Sequence, residues 1–582
     1  MATPARAPAP TLSRATTVTS QDKHDASPPS KGHDEAKGER SSPSASTAIS
    51  GFKRYTIIAC LVLAMFLVSL DRTILGVAVP RITDEFHSLD DVAWYFSAYS
   101  IANAALQLVW GRIYKFNPAK TCFIISVLLF EVGSAVCGAA PNSIALIIGR
   151  AIAGAGAAGI FSGCIQIVMA LVPLEKRPVF QASFGAVFGA ASAIGPLLGG
   201  AFTQKVSWRW CFYINLPLAA LALFAVVFFF DGDLTDRNKR KMTVSEQINQ
   251  LDPIGTLLII PCVTCLLIAL QWGGARYAWS NGRVIALLVV FAVTLVAFIA
   301  SQIWLGDRAS LPPKIFMERS VLGSFWYLIL LSGSMSTVFY YVPIWFQVVQ
   351  DKSPLTASYH TLPSILAIVV ASILNGAFSQ KTGYYTPGML ATPILASVGA
   401  GLISTWTPST STGQWMGYQI LFGAGIGLGM QGGSLAVQAV LPGPDIPIGI
   451  AATFFAREMG GAIFVAVAQN LLQSKLAAQL SAIPQLHNIA SHLAHAGASE
   501  IRQGVDPDQV GLIAQAYNAS LRDAWYLATA CAAAMIVPFA LIRWINLKKR
   551  GKKIAEETRE QESMREKQDQ AAESGAVKAE QA

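Results

Sequence analysis

Charge is what this sequence has least of. Only 13% of its 582 residues are Asp, Glu, Lys or Arg, while 53% are hydrophobic. A soluble domain carries about 25% charged residues, so this chain is not built to be wetted on all sides. The 8 cysteines (Cys60, Cys122, Cys137, Cys164, Cys211, Cys262, Cys265 and Cys531) all fall within or at the edge of apolar segments, which argues against a disulfide framework. Cys262-Val-Thr-Cys265 has metal-like spacing, but no second pair accompanies it. Small residues packing between helices are the better account. No phosphate-binding glycine loop, metal constellation or nucleophile arrangement is present. Their absence argues against an enzyme, a cofactor and ATP as energy source. Residues 1–50 lack the apolar core of a signal peptide. Rich in Ala, Pro, Ser, Thr and charge, they read as a disordered cytosolic tail. The net charge of +9 raises nucleic acid as a partner. The basic residues sit beside apolar runs, however, where the orientation of membrane spans accounts for them.

What remains is an all-α membrane protein. Apolar runs of about 18–25 residues recur, each long enough to cross about 30 Å of hydrocarbon at 1.5 Å per residue. The first six are 55–79, 92–113, 120–140, 143–172, 180–202 and 212–230. Two follow at 254–271 and 283–304, then six at 321–346, 356–380, 387–406, 416–440, 447–471 and 525–545. Fourteen spans put both termini on one side. Arg112, Lys115, Lys120, Lys176, Arg177, the run Arg237 to Lys241, Arg308, Lys314 and Arg319 mark one set of loops. The opposite first loop is acidic, with Asp84, Glu85, Asp90 and Asp91. The basic side is expected to be cytosolic.

The spans repeat. Gly154-Ala-Gly156 with Gly159 and Gly163 in the fourth span matches Gly423-Ala-Gly425 with Gly427, Gly429 and Gly432 in the twelfth. Gly111-Arg-Ile-Tyr-Lys115 after the second span matches Gly376 to Gly383 after the tenth. Corresponding segments recur eight spans apart. This implies two six-span halves with two spans inserted between them, the architecture of alternating-access carriers. The expected domains are the tail 1–50, an N-terminal six-helix half 51–231, a cytosolic linker with two inserted helices 232–310, a C-terminal half 311–547, and a cytosolic charged tail 548–582.

Charge inside a bilayer needs a reason, because insertion scales put its penalty at about 2.5–3.5 kcal/mol or more. Asp71, Glu131, Arg150, Arg457 and Glu458 stand out. Counting from the span ends, Asp71, Glu131 and Arg150 fall in one layer about 10–14 Å from the outer surface. One cation and two carboxylates at equal depth can share a network that loads and releases a proton. A static pair that fixes helix packing is the alternative, above all for Glu131. Arg457 and Glu458 lie near the midplane and, as neighbours, face about 100° apart. One can face a cavity and the other a helix.

Gly185, Gly189, Gly195-Pro196 and Gly199-Gly200 give the fifth span a surface for close approach and a bend. It reads either as a seam that opens and closes or as a tight static contact. Gln107, Gln166, Gln347, Gln431 and Gln438 with Tyr340 and Tyr341 are candidates to line a cavity for amphipathic molecules, with helix packing or lipid contact as the alternative for each. The last outer loop, about 472–524, holds the glycosylation acceptor Asn518-Ala-Ser520, and His487, His492 and His495, which read as a solvated loop rather than a metal site.

Four stretches resemble the fourteen-span drug:proton antiporters of the major facilitator superfamily, and among them the fungal multidrug and toxin efflux pumps. They are Leu70-Asp71-Arg72-Thr73 continuing to Val79-Pro80-Arg81, Arg150 to Gly156, Gly185 to Gly200, and Trp208-Arg209-Trp210 to Asn215-Leu-Pro217. The resemblance implies the major facilitator fold and a role for Arg150 in proton coupling. It also makes the glycines and Pro196 of span 5 an antiporter motif. One departure stands out. The loop after span 2 normally carries an acid, and Gly111-Arg112-Ile-Tyr-Lys115-Phe-Asn-Pro118 has none, which puts its gate in doubt.

The expected function is proton-coupled efflux of amphipathic small molecules, such as toxic metabolites or drugs, by a monomer in the plasma membrane. The vacuolar membrane is the alternative location. The alternative functions are a proton-coupled importer of siderophores or amino acids and a non-transporting membrane sensor.

Overall fold

The computed structural model describes residues 51–88, 91–230, 250–274, 277–483 and 507–580. The tail 1–50, the basic run Arg237 to Lys241, and His487, His492 and His495 lie outside them. The N-terminal helices are α1 (Gly51–Phe86), α2 (Val92–Phe116), α3 (Ala119–Ala139), α4 (Ser143–Leu171), α5 (Arg177–Lys205) and, after a turn at Trp210–Tyr213, α6 (Asn215–Phe229). Next come α7 (Pro253–Trp272) and α8 (Gly282–Leu305). The remaining long helices are α9 (Arg319–Val348), α10 (Leu362–Thr382), α11 (Thr386–Ile403), α12 (Thr412–Val440, broken at Met430 and Gln431), α13 (Ile446–Ser481), α14 (Pro507–Ala534) and α15 (Leu547–Glu580).

Among the described residues, twelve helices are long and apolar enough to cross a membrane. Length and composition thus account for twelve of the fourteen crossings expected. The two that fall short are α2, which carries Asn103, Gln107, Arg112 and Lys115, and α14, whose first half is amphipathic. That amphipathic half also corrects the expected outer loop at about 472–524. α13 continues to Ser481 and α14 starts at Pro507. Leu472, Leu476 and Leu480 on α13 share a buried cluster with Ile513, Tyr517 and Leu521 on α14. Residues four apart form one helical stripe, and the polar residues between them conceal it from a hydropathy window.

Glycine sets the packing inside each group of six. A Cβ on Gly154 of α4 would collide with the Tyr99 carbonyl of α2, and one on Gly156 with the Phe130 backbone of α3. On α12, Gly423 stands in the same relation to the Ser364 carbonyl of α10, and Gly425 to the Ala396 backbone of α11. The repeated glycines therefore do the same physical work, letting one central helix lie directly against two neighbours.

The inserted pair α7–α8 lies outside both groups. α7 buries Ile259, Val263 and Leu267 against Ala104 and Leu108 of α2 and Ala452 and Met459 of α13. Gln271 Nε2 donates to Ser97 Oγ of α2 at 2.6 Å. α8 leaves Val289, Val293, Val296 and Ile303 exposed, as a lipid-facing helix would. A buried knot holds the start of α7 to the end of α8. Asp252 accepts from Gly255 N (2.7 Å), Gln302 Nε2 (2.8 Å) and Ser310 N (2.7 Å).

Candidate buried-charge site

The innermost charges belong to α1 and α4. Arg150 Nη1 donates to Asp71 Oδ2 at 2.5 Å, with the two side chains 1% and 0% exposed. Arg150 Nε donates to the Tyr95 carbonyl at 2.9 Å, and its guanidinium lies 4.4 Å from the centre of the Tyr99 ring. Two donors and an aromatic face thus fix the cation. Removing one partner of such a pair leaves an uncompensated buried charge, a penalty of about 3–5 kcal/mol. The expected third member is not bonded to this pair. Glu131 is 8% exposed, and neither of its oxygens has a hydrogen-bond partner among the described residues.

One residue on, Arg72 turns away from the core of its own bundle. Its Nη2 donates to Glu458 Oε2 of α13 at 2.9 Å, with the side chains 28% and 19% exposed. Tyr99 serves this arginine as well, at 5.1 Å, with Phe161 at 5.9 Å. Arg457 is half-buried and forms no ion pair among the described residues. The expected divergence of residues 457 and 458 is what the helix produces.

Two seams join the groups of six. In the first, α5 lies on α10. A Cβ on Gly189 would collide with Val369, one on Gly185 would press on Ser372 Oγ at 3.1 Å, and one on Gly376 would come 2.7 Å from Ala182. Gly195 and Gly199, beyond Gly189, face Thr73 and Ile74 of α1 instead, and Gly200 touches Val77. Pro196 sits within that second stretch. The glycine motif is therefore two surfaces on one helix. One faces across the seam and the other faces α1.

In the second seam, α2 lies on α13, and a Cβ on Gly111 would stand 2.5 Å from that of Ala451. Lys115 Nζ donates to Asp445 Oδ1 at 2.8 Å. Arg112 is fully buried and donates to the Asp307 carbonyl at 2.8 Å. Arg177 Nη1 reaches Gln438 Oε1 at 3.3 Å. The acid that the loop after α2 lacks is thus supplied by Asp445, at the head of α13. All of these bonds lie at the end of the bundle that carries the α2–α3 and α4–α5 loops.

The model of the Major Facilitator Superfamily matches residues 61–465. The chain belongs to the major facilitator superfamily. This facilitator is 46% identical over 499 residues to the MFS-type transporter VdtG of Byssochlamys spectabilis, covering 86% of this chain and 89% of that one. It is 43% identical over 508 residues to the efflux pump aflT of Aspergillus parasiticus, with 87% and 98% covered. It is also 43% identical over 500 residues to the rubrofusarin-specific efflux pump aurT of Gibberella zeae, with 86% and 91% covered. Among solved structures, the human organic anion transporter MFSD10 (TETRAN) shares the fold at a TM-score of 0.53 and 15% identity, covering 84% of this chain and 99% of that one. The protein is a multi-pass membrane transporter and not an enzyme.

Several expected cavity residues of this facilitator serve packing. Gln107 is fully buried and donates to Ser162 Oγ at 2.7 Å, tying α2 to α4. Tyr341 is buried beside Trp525. Gln438 belongs to the seam with Arg177. Gln347 donates to the Pro343 carbonyl of its own helix at 3.3 Å. Gln166 is half-buried, as is Gln431 at the break in α12, and Tyr340 is 49% exposed.

Asn518 is a further correction. It lies within α14, where its Nδ2 donates to the Trp406 carbonyl at 3.0 Å and its Oδ1 accepts from Trp345 Nε1 at 2.6 Å. The nitrogen that a glycan needs is already engaged inside a helix bundle. Arg72 and Asp445 were missed as partners. Arg72 was legible as a sixth charge in a span, whereas Asp445 pairs with a residue 330 positions away, and no local signal links them.

Proposed function

We propose that this transporter exports small amphipathic molecules in exchange for protons, by alternating access. The observation that carries the reading is the Asp71–Arg150 pair, an ionised couple shielded from solvent at the centre of one moving half. A proton arriving from the acidic outside neutralises Asp71 and frees the guanidinium, which stays charged. The freed cation then favours a different packing of α1 against α4 and α5. Two relatives named as efflux pumps support the outward direction, and the rubrofusarin-specific one supports small-molecule metabolites as the substrate class.

In this reading all fourteen helices cross the plasma membrane. The two halves are α1–α6 and α9–α14, and the basic loops and both termini face the cytosol. Both halves lie in one chain, so the monomer is the working unit. The bonds of Lys115, Arg112 and Arg177 then close the cytosolic end, and the conformation described is one sealed to the cytosol. Opening to the cytosol requires Lys115–Asp445 and Arg72–Glu458 to part.

The test uses purified full-length protein in lipid vesicles with ethidium as an amphipathic probe. An imposed pH gradient is expected to drive ethidium against its concentration gradient, and Asp71→Asn to abolish that while downhill movement persists. Transport indifferent to the pH gradient would remove proton coupling, and probe accumulation in the opposite sense would make the protein an importer.

A further inference from the structure

Behind the Asp71–Arg150 pair lies a second polar group that the ion pair does not use. Glu131 of α3 is more than nine-tenths buried, and both its oxygens lack a hydrogen-bond partner among the described residues. Asn215 at the start of α6 is fully buried. Its Nδ2 donates to Ser134 Oγ at 3.2 Å, and its Oδ1 has no partner among those residues. Ser134 stands one turn along α3 from Glu131, so the two share a face. Gly138, one turn further, lies against the Tyr213 ring just before α6. That face of α3 therefore looks at the start of α6. Asp71 lies on α1, which packs on both α4 and α6, and its Oδ1 is also without a partner.

Four acceptor oxygens are thus buried without a donor: one on Asp71, two on Glu131 and one on Asn215. An ionised carboxylate with no donor and no counter-ion in such a place is prohibitively unfavourable. A proton on Glu131 removes the charge and supplies the missing donor. The titratable and charged groups around Asp71 and Glu131 are Arg150 on α4, Tyr99 on α2, Cys137 on α3, and Cys211 and Tyr213 on the turn before α6. The sole cation among these, Arg150, is engaged by Asp71.

We propose that Glu131, with Asn215 and Ser134, forms a second proton site in the N-terminal half, holding a proton while Asp71 is ionised against Arg150 and passing it to Asp71 as Arg150 moves from Asp71 to pair with Glu131. In that step the O–H bond of Glu131 breaks and one forms on Asp71 Oδ1. The negative charge moves from Asp71 to Glu131, and Arg150 keeps its proton. The net charge of the three groups does not change, which is the condition for moving a proton through a low-dielectric interior. Asn215 is a positioning residue, since its amide orients the acceptors without exchanging a proton. The inference rests on the proton-coupled reading for its use, but not for its detection.

Infrared difference spectroscopy of the full-length protein in lipid reads a protonated buried carboxyl directly, with no substrate present. At neutral pH the wild type is expected to show such a band. Glu131→Gln removes it, Asp71→Asn retains it, and Asn215→Ala shifts both its frequency and its titration midpoint. A band unchanged in Glu131→Gln, or no band in the wild type, overturns the proposal. In vesicles, Glu131→Gln is expected to lower gradient-driven ethidium transport at least tenfold while ethidium exchange without a gradient continues. Wild-type transport rates in that variant count equally against it. If the wild type ignores the pH gradient but the band behaves as stated, the proton-coupled reading fails and the proton site stands.

Discussion

Asp71 and Arg72 are neighbours in the chain and differ in nearly everything else. The first is sealed inside one bundle, bonded to Arg150 of the same half. The second reaches out to Glu458 on α13, 386 residues away, and stays partly exposed. Helix geometry alone separates them, because successive residues point about 100° apart. One pair lies within a single group of helices, and the other bridges the two. On the proposed reading, buried charge in a carrier of this kind has two uses, a proton store within a body and a latch between bodies, and adjacency in sequence does not say which.

The comparison can be broken most decisively at Asp71. Asp71→Asn strands the Arg150 cation, and we expect a loss of about 3–5 kcal/mol in stability together with abolished uphill transport. Thermal unfolding in detergent and vesicle assays measure the two effects. A charge exchange sharpens the contrast further. Arg72→Glu with Glu458→Arg should restore much of the transport that either single change removes, whereas Asp71→Arg with Arg150→Asp should restore none, because Tyr95 and Tyr99 are placed for a guanidinium on α4. Equal rescue of both pairs would erase the distinction.

Next comes Gly189→Val, whose side chain would meet Val369 across the α5–α10 seam. Overpacking of this kind is unfavourable by about 1–3 kcal/mol, here falling on the conformation described. Distances between spin labels on α5 and α10 should lengthen. Smaller again is Glu458→Gln, since partly exposed ion pairs are worth about 0.2–1 kcal/mol. It should shift the inward–outward balance by a few-fold at most without altering the melting temperature. Lys115→Gln should do less still, and its effect should shrink as salt rises.

Much of this was readable in advance. Long apolar runs located the helices because a bilayer demands roughly twenty such residues, and depth counting put Asp71 and Arg150 at one level before any contact was known. The extension of α14 back to Pro507 was hidden because Ile513, Tyr517 and Leu521 alternate with polar residues. The sequon at Asn518 was read as loop for the same reason, and it lies inside α14. The Lys115–Asp445 and Arg72–Glu458 bonds were not legible at all. Nothing local to either residue names a partner in the other half.

The inserted pair α7–α8 covers the seam between α2 and α13, and among the described residues the α5–α10 seam has no such cover. A molecule dissolved in the bilayer therefore meets two unlike flanks. On one it faces a double wall, and on the other a single joint lined with glycine. The carrier is thus handed in the plane of the membrane as well as across it.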